Sequence, residues 1–296
     1  MLFRSLLSWI NRWGGELRTI ARIGSSRALS TQWWQPLGAG SPWFAQVTAE
    51  YDTEPLDLFV GGKRTARASI TTQSISASLG YQFGSRASLH AGVLRTLGRG
   101  RVLLPEAATD VSDISETTRF ISLRYDTLDS LAFPTEGSLL VASLQSTPEP
   151  GRSVTTLAQS SVQALSAIRL GEWGGHVYGE WAKSRSGFAP LRLGGFLRLT
   201  GAPRDSVTGA TVLFGRVVVA RRIGQMPPGL GGAIRTGMSL ELGNGYAENE
   251  AIRAAKLRPA ASAFISVDTR FGPAYLGMGA TSALGSTVYV FLGPYW

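Results

Sequence analysis

The chain has 296 residues, 44% of them hydrophobic and only 17% charged, with a mean hydropathy of +0.06. That is too apolar for a disordered chain, no run of about 18 apolar residues marks a transmembrane helix, and the absence of cysteine excludes disulfides, thiolate metal sites and cysteine nucleophiles. The net charge of +9 comes from arginines scattered singly through the chain, which argues against a nucleic-acid-binding face.

The 36 glycines and 14 prolines speak for many strands joined by turns rather than for helical bundles. Residues 1–10 begin like a targeting segment. Arg4 breaks the apolar run, however, and Trp9, Asn11, Arg12 and Trp13 follow without a small-x-small cleavage site. They do not read as a signal peptide, so a barrel would need its signal upstream.

Period two dominates from there on. Leu17, Thr19, Ala21 and Ile23 alternate with Glu16, Arg18, Ile20 and Arg22, and Trp43, Ala45, Val47, Ala49 and Tyr51 alternate with Phe44, Gln46, Thr48, Glu50 and Asp52. Ile234, Thr236, Met238, Leu240 and Leu242 alternate with Arg235, Gly237, Ser239 and Glu241, and Ala263, Ile265 and Val267 with Ser262, Phe264, Ser266 and Asp268. A strand sends each set to its own face, whereas a helix would mix them. The segments run about nine residues or more and carry charges of both signs on one face, matching a lipid-facing apolar band around a wet interior.

About fifteen strands are predicted, near 2–11, 16–24, 27–37, 43–58, 65–83, 86–97, 117–127, 136–146, 153–169, 172–185, 209–223, 232–245, 260–271, 273–283 and 286–296. The register slips between Ile70 and Ile75, which predicts a bulge or a misplaced boundary. Short turns alternate with longer loops, the longest being about 186–208. No linker or composition shift divides the chain, so residues 1–296 read as one domain.

Trp33, Trp34, Trp43, Trp173, Trp181, Tyr275, Tyr289 and Tyr295 fall mostly toward strand ends, either as interface girdles or as ordinary core aromatics. The chain stops on an alternating strand containing Tyr289, Phe291 and the terminal Trp296. Bacterial outer-membrane barrels commonly end this way, because the barrel-assembly machinery recognises the final strand.

Specific motifs then carry a resemblance. Tyr125-Asp-Thr-Leu-Asp-Ser-Leu-Ala-Phe-Pro-Thr-Glu-Gly137 resembles the strand–turn–strand signature of the Omp85 superfamily, the bacterial surface antigen (D15) barrels. Leu193-Gly-Gly-Phe-Leu-Arg-Leu-Thr-Gly201 resembles that barrel's lumen-inserted loop before the last five strands, and Phe271-Gly-Pro273 its final hairpin. The Leu-Gly-Gly-Phe-Leu form looks closest to the barrel of bacterial patatin-like phospholipases. The resemblance implies an all-β, transmembrane antiparallel barrel of sixteen strands, of which about fifteen are present. The first strand, a periplasmic domain and a patatin domain would then lie upstream of this N-terminally truncated chain.

Gly194, Gly195, Arg198, Thr200 and Gly201 carry the loop motif. The wider superfamily has an Arg-Gly pair here, its arginine packing on acidic residues of the inner wall. Aligning Gly201 puts Thr200 at that arginine position, so the role does not carry over. Arg198 is then either a substitute reaching Glu241 or Asp268, both inward by alternation, or a solvated loop arginine.

Catalytic machinery is not legible. A patatin-type hydrolase needs a Gly-x-Ser-x-Gly elbow, and Gly237-Met-Ser239-Leu-Glu241 lacks the final glycine and lies within a strand. His90 and His176 are isolated wall positions without ligand-spaced neighbours, Asp126 and Asp129 read as turn caps, and no glycine loop for phosphate precedes a helix. The expectation is a non-enzymatic barrel without cofactor or metal, in the outer membrane of a Gram-negative bacterium. It would anchor or translocate a linked passenger as the barrel portion of a patatin-like phospholipase without the catalytic domain. The alternative is an assembly or secretion barrel of the same superfamily. Expected partners are outer-membrane lipids and lipopolysaccharide, the assembly machinery at the last strand, and another chain at the open edge. An outer-membrane hydrolase of the phospholipase A type and a soluble β-sandwich are the other classes weighed; the first lacks a supported Ser/His pair, and only the missing signal favours the second.

Overall fold

Alternating segments become strands throughout the computed structural model, which describes residues 2–24, 27–60, 63–104, 110–130, 133–147, 156–185, 191–227, 229–269, 272–282 and 285–293. The strands are β1 (Leu2–Leu7), β2 (Glu16–Arg22), β3 (Arg27–Pro36), β4 (Trp43–Val60), β5 (Lys63–Phe83), β6 (Ala87–Leu104), β7 (Asp110–Asp126), β8 (Gly137–Thr147) and β9 (Thr156–Leu170). They continue as β10 (Trp173–Ser184), β11 (Leu191–Leu193), β12 (Val207–Gly209), β13 (Thr211–Gln225), β14 (Gly231–Tyr246), β15 (Arg258–Thr269), β16 (Gly272–Thr281) and β17 (Gly285–Leu292). Fifteen share one sheet, ordered β1 to β10 and then β13 to β17, while β11 and β12 form a separate antiparallel hairpin. The chain is an all-β antiparallel meander, with β1 and β17 at the two ends of the order.

Two compact units divide it. The first comprises Met1–Arg124 and Ser143–Gln159. Its β4, β5, β6 and β7 have 18, 21, 18 and 17 residues. At roughly 3.3 Å per residue, β5 is roughly 70 Å long, far more than the apolar band of about 25 Å that a bilayer demands. The excess explains one departure from expectation, and the strand register corrects a second. Residues 98–104 and 110–116 continue β6 and β7 where a loop was expected, because strand beyond the band need not alternate apolar with polar. The slip between Ile70 and Ile75 is no bulge: Glu54↔Ile70 through Ala49↔Ile75 pair in unbroken register, and the irregularities lie at Leu58/Phe59 and Arg67/Ala68.

The second unit comprises Tyr125–Ala142 and Ser160–Trp296. Its burial is inverted relative to a soluble protein. Val177, Val217, Met238, Leu240, Leu242, Ile265, Leu276, Met278 and Val288 are exposed, while His176, Glu180, Arg216, Ser239, Glu241, Ser262 and Ser266 are buried. A large exposed apolar face opposite buried charge is what a lipid-facing sheet requires. The inner face is packed as well as polar. Leu193, Leu199, Ala202 and Val207 cluster with Tyr178, Val212 and Phe214, so residues 191–207 fill space that alternation alone assigned to water.

The aromatics divide between the two readings. Trp33, Trp43 and Trp173 are exposed on the outer face, where a girdle residue would lie, whereas Tyr275 is 2% exposed in the interior.

Candidate functional site: the inserted loop and its inner-wall seat

The β11/β12 hairpin carries a tight turn over 194–206, closed by Gly194 N–H to the Arg198 carbonyl (2.9 Å), Gly195 N–H to Ala202 (3.1 Å) and Ala202 N–H to Leu199 (3.1 Å). Gly194, Gly195 and Gly201 have φ of 129°, 107° and 97°, and the non-glycine Leu197 and Leu199 are also left-handed at 54° and 75°. Each such leucine costs roughly 1–2 kcal/mol. Complete burial of both side chains offsets the cost, at about 1.5–3 kcal/mol per side chain.

Glu241 on β14 is the principal anchor. Its Oε2 accepts Leu199 N–H (2.6 Å) and Thr200 N–H (2.8 Å), and its Oε1 accepts the Thr200 hydroxyl (2.6 Å) and the Ser239 hydroxyl (2.6 Å). Thr200 Oγ1 in turn accepts Leu197 N–H at 2.9 Å. On β13, Arg216 Nη1 donates to the Leu197 carbonyl (2.7 Å), and its guanidinium lies 4.6 Å from the Tyr178 ring centroid. On β17, the Tyr289 hydroxyl accepts Gly201 N–H (3.0 Å) and donates to the Ala202 carbonyl (3.3 Å).

Arg198 reaches neither Glu241 nor Asp268. Its Nη2 meets Glu180 of β10 at 2.7 Å, and the Tyr178 hydroxyl donates to the other Glu180 oxygen at 3.0 Å. Glu241 is already saturated by the Leu199 and Thr200 donors. Asp268 pairs with Arg235 at 2.7 Å. The loop therefore uses two inner-wall carboxylates, and Glu180 is the one that sequence reasoning missed.

Gly277 and Gly279 of β16 were missed too. A Cβ on Gly279 would lie 2.4 Å from Thr200 Cγ2, and one on Gly277 would lie 2.7 Å from Phe196 Cε2. Phe196 packs there against Phe264 (ring centroids 6.0 Å apart), Tyr275 (5.5 Å) and Tyr289 (5.6 Å). Glycines two apart on an inward strand face signal close approach of another backbone or ligand, which was the clue available. Tyr289 and Phe291 both belong to this aromatic group. Trp296, Tyr295 and Phe271 lie outside the described residues.

The described residues of the 125–137 motif form a turn tied by its two aspartates. Asp126 Oδ1 caps Leu128 N–H (3.1 Å), and Asp129 accepts Thr135 N–H (2.9 Å), the Thr135 hydroxyl (2.7 Å) and Glu136 N–H (3.1 Å). Arg169 adds a contact to Asp129 at 3.3 Å. Burial alone would push the Asp129 carboxyl up, but these hydrogen bonds outweigh it and hold it below its ordinary value. Phe133, 1% exposed, plugs the space between His176 and Arg235. Gly137 closes the turn with φ of 93°, where a Cβ would stand 2.1 Å from the Thr127 carbonyl oxygen.

No protein-family model matches the sequence, and no curated protein matches it. Solved structures do. BamA from Haemophilus ducreyi lacking POTRA domains 1–3 superposes with a TM-score of 0.70 at 13% identity, covering 98% of this chain and 65% of that one. CdiB from Escherichia coli gives 0.61 at 14%, covering 99% and 57%, and CdiB from Acinetobacter baumannii 0.52 at 10%, covering 99% and 54%. The chain shares the all-β antiparallel fold of these BamA and CdiB structures. The chain spans no more than about two-thirds of the length of these relatives.

Proposed function

We propose that this chain is the barrel of a Gram-negative outer-membrane protein that assembles or secretes polypeptide, rather than an enzyme. The observation that carries the reading is where the loop is fastened. It bonds to Glu241 on β14 and Tyr289 on β17, and Thr287 of β17 adds a contact to the Gly201 carbonyl at 3.4 Å. The last strand of the sheet order is thus held from inside by side chains, while its backbone pairs with β16 on one side. A strand braced in this way can offer its other edge to an incoming strand without losing its position, which is how β-augmentation recruits a partner. The likeness to BamA and CdiB supports the reading at the level of fold.

The partners follow from the same placement: lipid and lipopolysaccharide around the apolar belt, the assembly machinery at the final strand, and another chain at the open edge. The Leu193–Leu197 sequence favours a second reading, in which the barrel anchors or exports a linked lipase.

The test begins with the full chain refolded into short-chain phosphatidylcholine vesicles, where a heat-modifiable gel band reports the barrel. A small urea-unfolded outer-membrane protein is then added and its folding rate compared with protein-free vesicles. A several-fold acceleration is expected. A folded chain that gives none removes the assembly reading, and a chain that is β-rich and soluble without detergent removes the membrane reading altogether.

A further inference from the structure

The exterior of the first unit carries a basic patch that the loop seat does not use. Along the outward face of β6, Ala91 and Val93 are followed by Arg95, Leu97, Arg99 and Arg101, all exposed. The neighbouring outward positions of β7 are Asp113, Ser115, Thr117 and Arg119. Arg95 Nη1 donates to Thr117 Oγ1 (2.9 Å) and its Nη2 to Ser115 Oγ (2.8 Å), so hydroxyls orient this guanidinium while leaving its charge in place. Arg99 faces Asp113 at 3.3 Å, with the two side chains 73% and 78% exposed. Among the described side chains of this face, four arginines meet one carboxylate.

Beside the arginines runs a groove of about 420 Å³ on the same outer surface, lined by Leu29, Ala49, Tyr51, Ile75, Leu97 and Arg95. Leu29, Tyr51, Ile75 and Leu97 are each about half exposed, which places the groove in the apolar belt. Arginine on a lipid-facing strand is costly at mid-bilayer and tolerated at the interface. The order apolar, apolar, Arg, Leu, Arg, Arg toward the 105–109 connection therefore sets these side chains at the headgroup level.

We infer that Arg95, Arg99 and Arg101, with the groove beside them, form a binding site for a phosphorylated, multiply acylated lipid of the outer leaflet, the lipid A portion of lipopolysaccharide. The inference rests on the outer-membrane reading above. Guanidinium groups match phosphate as paired donors, and two of the five Arg95 donors are already fixed by hydroxyls, so the remainder point with little freedom. The groove accepts an acyl chain directly below. Charge and apolar surface lie in the order that such a lipid presents them.

The full chain is refolded into zwitterionic micelles, with the heat-modifiable band as the folding check, and titrated with diphosphoryl lipid A, phosphatidylcholine or inorganic pyrophosphate. Retained ligand is read by native mass spectrometry. Lipid A should be held, and the triple variant Arg95→Gln, Arg99→Gln, Arg101→Gln should bind it at least about tenfold more weakly while its heat-modifiable band is unchanged, since these side chains point away from the sheet interior. Ala49→Trp, which fills the groove, should weaken lipid A binding and leave pyrophosphate binding unaltered. The proposal is overturned if the triple variant binds lipid A like the parent, if phosphatidylcholine is held as tightly, or if pyrophosphate binds as well as lipid A. Dimers formed through this face in place of lipid binding would also overturn it. A parent chain with no heat-modifiable band removes the barrel reading itself, an outcome distinct from a folded barrel that ignores lipid A.

Discussion

Glu241 and Thr200 hold the inserted loop to the wall through three hydrogen bonds, two from the Thr200 amide and hydroxyl and one reaching the same carboxylate from the Leu199 amide. Both residues are almost entirely buried. Glu241→Ala strands two buried N–H groups, and each orphaned donor costs about 1–3 kcal/mol. The variant should lose its heat-modifiable band at a lower temperature and become sensitive to trypsin at Arg198 and Arg204. Thr200→Val keeps both amide bonds to Glu241 and orphans one buried donor, the Leu197 N–H, for about 1–3 kcal/mol, roughly half the loss expected of Glu241→Ala. Equal behaviour of the two variants would contradict this ranking.

The two glycines of β16 should respond differently to partner mutations. Gly277→Ala drives a methyl into the edge of Phe196, a side chain that can be shortened. Such overpacking costs typically about 1–3 kcal/mol, and Phe196→Ala in the same chain should recover part of it, leaving a coupling of about 1 kcal/mol or more. Gly279→Ala meets both Thr200 Cγ2 and the backbone carbonyl oxygen of Ala261, the latter at 2.5 Å. Thr200→Ser removes the first obstacle and not the second, so it should rescue little. Denaturant unfolding in lipid of the four single variants and the two double variants separates the cases.

Most of the sheet was legible because lipid imposes a rule on every strand that crosses it. The inward placement of Ser239, Glu241, Ser262 and Ser266 follows from alternation alone and matches their burial. Where the rule lapses, so did the reading: residues 98–104 and 110–116 are strand without an apolar face to announce it. The loop seat was legible in part. Thr200 was visibly not an arginine, and Glu241 was visibly inward. The partner of Arg198 depends on Leu197 and Leu199 adopting left-handed φ on either side of it, which sends the backbone amides to Glu241 and the guanidinium to Glu180. No propensity places leucine there; only the burial of those side chains does, and that is a property of the assembled wall.

Acid should loosen the 127–136 turn through Asp129. Its carboxyl is held below the ordinary value of 3.8 by hydrogen bonds to Thr135 and Glu136, against the opposing pull of burial. A carboxylate with a lowered folded value contributes stability that is complete above 3.8 and disappears as pH falls through that folded value. The side chain is 29% exposed, so solvent screening keeps the contribution to about 1 kcal/mol or less. Carboxyl carbon chemical shifts followed from pH 6 downward should show Asp129 titrating below the ordinary range. Asp129→Asn should flatten the low-pH dependence of stability, and an unaltered dependence would remove this residue as its source.

The Arg198–Glu180 pair should prove asymmetric. Glu180 has a side chain 5% exposed, whereas that of Arg198 is 38% exposed. Arg198→Ala therefore leaves a buried carboxylate with the Tyr178 hydroxyl as its one remaining hydrogen-bond donor among the contacts described above, while Glu180→Gln leaves an arginine that water can still solvate. Breaking a fully buried pair typically costs about 3–5 kcal/mol; half-exposure of Arg198 brings the expectation for Arg198→Ala to about 2 kcal/mol. Glu180→Gln alone should cost less, and the double variant should be more stable than Arg198→Ala, because the uncompensated charge is gone. A urea-unfolding cycle in lipid measures all four chains. If the double variant is instead the least stable and the single losses simply add, the two residues act independently, and the loop is held by Glu241 and Tyr289 without help from the β10 wall.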